Sequence, residues 1–188
     1  MKRRLALFAA LLLIAACQSD RVDRDFDPVR DYSVYRTWSW KEPGVQYRPD
    51  DPRVSSDLIE QRIRQAIGDE LEQRGLRQAS KGTAGNLQVQ AWYIVEKRQQ
   101  QITTNYGGGW WGYPWGGYWG GGPGYNESRT QEYRIGIVQI DLYDGRDSKL
   151  VWRGSSEHDL SDGLSSPGER TTAMYKTIYD ILSHYPPY

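Results

Sequence analysis

Apolar and polar positions alternate along this chain with two periods, one suited to strands and one to helices. Tyr32 to Trp40 is rich in aromatic and β-branched residues and predicts a strand, with Trp38 and Trp40 on one face and Thr37 and Ser39 on the other. Lys41 to Arg53 holds three prolines and is expected to be loop. Ile59, Ile63, Ala66, Ile67 and Leu71 then recur at helical spacing, with Arg62, Arg64, Asp69 and Glu72 mostly outside the stripe. Asp57 is the expected cap, with Glu60 three residues on, and Gly75 suits the left-handed position that ends a helix. Gly68 inside that helix costs about 1 kcal/mol relative to Ala. Leu76 to Ala79 reads as a short strand. Leu87 to Val95 is a longer one, in which Leu87, Val89, Ala91, Tyr93 and Val95 alternate with Gln88, Gln90, Trp92 and Ile94. Tyr133 to Tyr143 is apolar enough for a central place in a sheet, and Asp144-Gly145 opens a tight connection into Leu150 to Glu157, which predicts a hairpin. A closing helix is capped by Ser166, with Pro167 in its first turn and Glu169 completing a capping box. Met174, Ile178, Ile181, Leu182 and Tyr185 form its apolar stripe, and Pro186-Pro187 stops it. Arg21 to Asp31 alternates charges, as a solvated tether or a short edge strand would. Two helices with one apolar stripe each need a sheet face to cover. The expected fold is therefore α+β: one two-layer domain over residues 21–188, a largely antiparallel sheet of about five strands, and two helices on one face.

The first 16 residues break this pattern. Lys2, Arg3 and Arg4 give a positive start and Leu5 to Leu13 an uncharged apolar stretch, followed by Ile14, Ala15, Ala16 and Cys17. The apolar run is too short to span a bilayer, which takes about 20 residues, but it has the parts of a secretory signal. Ile14-Ala15-Ala16-Cys17 resembles the lipobox of bacterial lipoproteins. That resemblance implies cleavage before Cys17, a thioether-linked diacylglyceryl group on its sulfur and an acyl chain on the new amino terminus, all holding the protein to a membrane. The alternative is an ordinary secreted chain in which Cys17 happens to follow the cut. Gln18 after the cysteine implies delivery to the outer membrane, facing the periplasm, rather than retention at the inner one. If the domain begins at Arg21, residues 17–20 are a tether of little more than about 10 Å; a start at Tyr32 would lengthen it several-fold.

Charge narrows the partners. The signal takes three of the 24 basic residues and none of the 24 acidic ones, leaving 21 against 24. Nothing in that balance argues for nucleic acid. The single cysteine allows no internal disulfide. Composition departs from the ordinary in one place, Asn105 to Tyr125, which holds ten of the 20 glycines, four of the eight tryptophans and no charge. So much glycine raises the cost of ordering a regular element. Three readings stay open for this loop: a low-complexity connection, a membrane contact through Trp and Tyr at the headgroup level, or recognition of a glycan or envelope protein by flat rings. Trp110, Trp111, Tyr113, Trp115, Tyr118 and Trp119 are the candidate binding residues.

Catalytic constellations are sparse. A transition-metal site needs several Cys, His or carboxylate ligands, and the two histidines, His158 and His184, fall in different elements. No metal or cofactor is expected. Ser155, Ser156, His158 and Asp159 are neighbours on an extended segment and point alternately to opposite faces, which denies them a triad geometry. Asp141, Asp144 and Asp147 lack the spacing and closing glutamate of a calcium loop. Arg153, near Asp141 on paired strands, is expected to make a structural ion pair with it. No glycine motif sits between a strand and a helix, so nucleotide binding has no support.

Several segments together resemble the lipoprotein family catalogued as domain of unknown function 4136: Phe26-Asp27-Pro28, Tyr35 to Trp40, the helix end from Ile63 to Gly75, Ile140 to Asp144, Leu150 to Gly154, and Ile181 to Pro187. Asn86 departs from the pattern, which tends to Asp there. The resemblance implies a fold and a location but no reaction. The expectation is a lipid-anchored envelope protein that binds or scaffolds; the alternative is an envelope-acting hydrolase using Asp141 and His158.

Overall fold

Leu87, Val89, Ala91 and Tyr93 lie directly opposite Asp144, Leu142, Ile140 and Val138 on an antiparallel neighbour, and every one of these eight is buried. The two strands that carry them, β4 (Leu87–Tyr106) and β5 (Tyr125–Asp144), are the middle of the sheet. The computed structural model describes residues 22–106, 125–160 and 166–187. On one side of the pair, β6 (Leu150–Asp159) runs antiparallel to β5, and β1 (Val22–Phe26) antiparallel to β6 at the edge. On the other, β2 (Thr37–Arg48) runs parallel to β4, and the two-residue β3 (Arg77–Gln78) parallel to β2. The order is β1-β6-β5-β4-β2-β3.

The sheet thus has six strands and is mixed, where about five largely antiparallel strands were expected. Helix α1 (Asp57–Gln73) follows β2 and returns the chain to the end at which β2 began, so β3 and β4 both enter parallel to it. Charge alternation in Asp23-Arg24-Asp25 marks an edge strand, the second of the two readings of that segment. The expected loop at Lys41 is also corrected, because β2 continues through it to Arg48. Pro43 is accommodated in a bulge, where the ladder to β4 shifts between Trp40 and Val45 and no backbone N–H is required of it. Tyr32 to Val34 form a 3₁₀ turn rather than the start of a strand, since the Asp31 carboxylate accepts from the Ser33 amide at 3.0 Å and from its hydroxyl at 2.6 Å.

Both helices cover the same face of the sheet. In α1 the cap is Ser56 and Asp57 is the first helical residue, one position later than expected for the acid; there it still faces the positive end of the helix dipole. Gly75 ends this helix at φ +85°. Helix α2 (Pro167–Leu182) starts as expected, with the Glu169 amide donating to Ser166 Oγ at 3.2 Å and the Ser166 amide to Glu169 Oε2 at 2.9 Å. Ile63, Ala66, Ile67 and Leu71 from α1 and Met174, Ile178, Ile181 and Leu182 from α2 are buried with Trp38 and Trp152. Each large apolar side chain in that set contributes about 1.5–3 kcal/mol. The helices are also joined directly: Tyr175 donates to Asp69 at 2.7 Å, and Arg74 Nε to the Leu182 carbonyl at 2.7 Å.

Two glycines beneath the tryptophans differ in kind. A Cβ on Gly68 would meet Trp38 ring carbons at 3.6 and 3.7 Å, an ordinary contact, whereas one on Gly154 would collide with the Trp152 ring and lie 2.7 Å from Ile181 Cγ2. Gly68→Ala is therefore expected to stabilise the protein by about 1 kcal/mol and raise the melting temperature by about 2–4 °C. Gly154→Ala is expected to destabilise it by about 1–3 kcal/mol through overpacking. Thermal unfolding of the two variants checks the opposite signs.

Candidate functional site

Strands β4 and β5 do not stop where the sheet does. The last partner of β2 on β4 is Ile94, the last of β6 on β5 is Ile135, and the Leu160 amide then donates to the Arg134 carbonyl at 3.0 Å. From Arg98↔Tyr133 to Tyr106↔Tyr125, nine further pairs continue without a register shift, and among the described residues their strands pair only with each other. At about 3.4 Å per residue this two-stranded ribbon projects roughly 30 Å. Gln99 to Thr104 and Asn126 to Glu132 are exposed throughout. Its rungs are polar: Gln99 Nε2 donates to Glu132 at 2.9 Å and Gln101 Nε2 to Ser128 at 2.9 Å. At the root, Arg98 grips Glu157 with two bonds of 2.9 and 2.6 Å, and that carboxylate raises the guanidinium pKa. The ribbon brings the backbones of Tyr106 and Tyr125 opposite one another at its end. Trp110, Trp111, Tyr113, Trp115, Tyr118 and Trp119, which fall between them in sequence, lie outside the described residues, as does Cys17.

Asp141 sits on the face of the sheet away from the helices and is 1 % exposed. Arg153, its cross-strand partner, holds it with two bonds of 2.6 and 2.8 Å, as expected from the pairing. Gln139 donates to both carboxylate oxygens at 3.1 and 3.2 Å, and the Tyr143 hydroxyl lies 3.4 Å from one of them. Burial, reinforced by the Asp141 charge, raises the Tyr143 pKa, and Lys41 Nζ stands 3.6 Å over its ring. The carboxylate is thus enclosed by donors.

His158 pairs with Gly136, five residues from Asp141 on the same regular strand, so the two side chains leave opposite faces of the sheet. The histidine lies over Gly136 on the helix side, its ring centroid 6.1 Å from that of Tyr93. Ser156 is buried on that side, while Ser155 and Glu157 share the face of Arg153. The proposed hydrolytic pair does not assemble.

Asp144 and Asp147 converge, together with Asp27, on a cation of the chain's own. The Arg30 guanidinium reaches them at 3.2, 2.6 and 3.2 Å respectively. Tyr35 donates to Asp144 at 2.8 Å and the Arg146 amide at 2.7 Å. Burial alone would raise the Asp144 pKa, but these two donors and Arg30 outweigh it and lower the value; the Asp147 pKa is lowered chiefly by Arg30. Among the described residues no group of three or more His, Cys, Asp or Glu is placed to hold a metal.

One further concavity, an open groove of about 740 Å³, runs between α1 and the β2–β3 edge. Trp38, Trp40, Glu60, Arg64 and Gly68 are among its lining residues. The Arg64 guanidinium stacks 4.7 Å over the Trp40 ring and binds Glu60 at 2.7 Å. The helical spacing of Glu60 and Arg64 was visible in the sequence; their meeting with Trp40 depends on tertiary packing. The ribbon is the other feature missed, because its residues carry no apolar face to read.

The family described as Domain of unknown function (DUF4136) matches residues 22–187. No curated protein matches the chain. Among solved structures, a PDZ domain protein from Parabacteroides distasonis ATCC 8503 superposes with a TM-score of 0.53 at 13% identity, over 89% of this chain and 35% of that one. The chain therefore spans about a third of the length of that protein, and the likeness concerns the fold alone. A DUF4136 family protein from Bacteroides thetaiotaomicron VPI-5482 has a TM-score of 0.48 at 18% identity, covering 90% of this chain and 97% of that one. A PelC dodecamer from Paraburkholderia phytofirmans has a TM-score of 0.46 at 14% identity, covering 88% and 96%.

The Arg30 cluster gives an acid-sensitivity prediction. Carboxylates whose folded pKa is lowered contribute stability that is present above the unfolded value near 4 and lost as pH falls through the folded one. Arg30→Gln is expected to lower the melting temperature at pH 7, and the gap to the parent chain is expected to close as pH falls below about 4. A gap independent of pH, in melting curves from pH 7 to pH 2, would contradict the assignment.

Proposed function

The chain belongs to the DUF4136 family, and for this member we propose a lipid-anchored envelope protein that binds or scaffolds, with residues 105–125 as its contact element. The observation that carries this reading is the ribbon. A polar two-stranded projection with no core of its own is marginal as a stabilising feature, whereas it carries the backbones of Tyr106 and Tyr125, which bracket the segment in sequence, away from the body. The composition of that segment, with ten glycines, four tryptophans and no charge, suits contact with a bilayer surface, a glycan or another envelope protein. Its location rests on the signal-like residues 1–16 and on Cys17, whose lipid would anchor the protein to the outer membrane on the periplasmic side. The hydrolase alternative finds no support in the opposed directions of Asp141 and His158.

Two experiments test the two halves. Metabolic labelling with an alkyne fatty acid should tag the parent chain and not Cys17→Ser; equal labelling refutes the anchor. Deleting Gly107 to Gly124 should leave the melting temperature within about 1 °C, because the core of the described residues is built from the sheet and the two helices. The same deletion should abolish recovery of liposomes, peptidoglycan fragments or envelope proteins by the purified protein, and unchanged recovery refutes the contact element.

A further inference from the structure

Sheet edges in natural proteins are guarded against pairing by charge, by proline, by bulges or by a covering element. The two edges of the ribbon are guarded unequally. Along β5, Glu127, Arg129, Glu132 and Arg134 place a charge at least every third residue. Along β4, Gln99 to Asn105 reads Gln-Gln-Gln-Ile-Thr-Thr-Asn, with no charge, no proline and no break in the ladder. Beyond Ile94 this edge has no strand beside it among the described residues. Gln99 and Gln101 send their amides across to β5 and so do not themselves cover the backbone of the β4 edge. At the centre of the run stands Ile102, 42 % exposed on an otherwise polar ribbon.

From this we infer that the β4 edge of the ribbon pairs with the same edge of a second copy of the chain, antiparallel and with the two-fold axis at Ile102. The run is self-complementary about that residue. Gln100 comes opposite Thr104 of the other copy, Gln101 opposite Thr103, and Ile102 opposite itself. Gln100, Ile102 and Thr104 share one face of the strand, so the two isoleucines meet there and each covers the apolar surface of the other. The run carries no charge that pairing would desolvate, whereas the β5 edge carries four. A contact of this kind is isologous and closes after two copies. It extends the ribbon from two strands to four, beyond the two-stranded hairpin that is marginal by itself. Backbone bonds over about seven residues bury far less than the roughly 1,600 Å² of a standard stable interface, so the pairing is weak and reversible.

The proposal fixes a distance that covalent trapping can read. Opposed residues on the axis have Cα atoms about 4.5–5.5 Å apart, within disulfide reach, whereas Gln99 and its copy are six rungs apart, roughly 20 Å. Full-length chain carrying Ile102→Cys, Gln99→Cys or Lys81→Cys, each with Cys17 intact and again as Cys17→Ser, is oxidised in intact cells and run on a non-reducing gel. The expected result is a dimer from Ile102→Cys in both backgrounds, at least tenfold stronger than from the other two positions. No dimer at Ile102, or dimers of equal strength at all three positions, overturns the proposal, as does capture of a protein of another mass. Ile102→Lys gives the complementary reading through an amine-reactive cross-linker, with loss of the dimer expected and its persistence counting against the axis.

Discussion

The register of β4 against β5 is the constraint on which everything else rests. It runs unbroken from Leu87↔Asp144 to Tyr106↔Tyr125. Side chains alternate along a strand with a period of two, so a slip of one residue would turn Val89, Ala91, Val138 and Ile140 to the outside. The same alternation sends Asp141 to the face where Arg153 waits and His158 to the opposite one. One ladder thus builds the core in its first half and the ribbon in its second, whose exposed residues are polar save Ile102.

Such a register needs a fixed origin, and the polar residues at the base supply one. The Gly145 amide donates to the Asn86 carbonyl at 2.8 Å, which closes the ladder where β4 begins. Asn86 Oδ1 accepts from the amides of Arg36 and Thr37 and from the Thr37 hydroxyl, at 3.1, 2.7 and 2.7 Å, tying β4 to the start of β2. All three bonds use the side-chain oxygen, an acceptor that a carboxylate would also offer. Arg30 and Tyr35 hold Asp144 from the other side. Acceptors that are buried, as at Asp144, or half-buried, as at Asn86, and that hold several donors each are costly to vacate, and they mark the start of the count.

The legible parts of the fold were those in which one side chain meets a local rule. Ser166 and Glu169 announced the start of α2, and Met174 to Tyr185 its buried face, because capping and helical spacing are properties of neighbours in sequence. The Asp141–Arg153 pair followed from a hairpin of short reach. The parallel placement of β2 was not legible, since it depends on where α1 delivers the chain and no residue records that. Strand β2 was cut short at Lys41 because a proline usually ends a strand, and the bulge that absorbs Pro43 has no signature of its own. The ribbon was invisible for a plainer reason. Pattern reading detects strands by the core they face, and Gln99 to Thr104 face water on both sides. Of the candidate site, then, the chemistry of the segment could be read from composition, while the support beneath it could not.

Strand β1 adds a question of clearance. Val22 pairs with Ser156, which pairs with Val138, which pairs with Tyr93, so the first residue of β1 lies toward the end of the sheet from which the ribbon departs. Twelve residues of β4 separate Tyr93 from Tyr106, putting the ribbon's end about 40 Å beyond the level of Val22. Only four residues separate Cys17 from Val22, a reach of at most about 17 Å. With a lipid on Cys17 the body would hang closer to the bilayer than its own ribbon is long. A ribbon pointing at the bilayer would then enter it, and one that stays outside must lie along it or point away. Tether length would in that case act as a stop that sets the posture of the whole molecule.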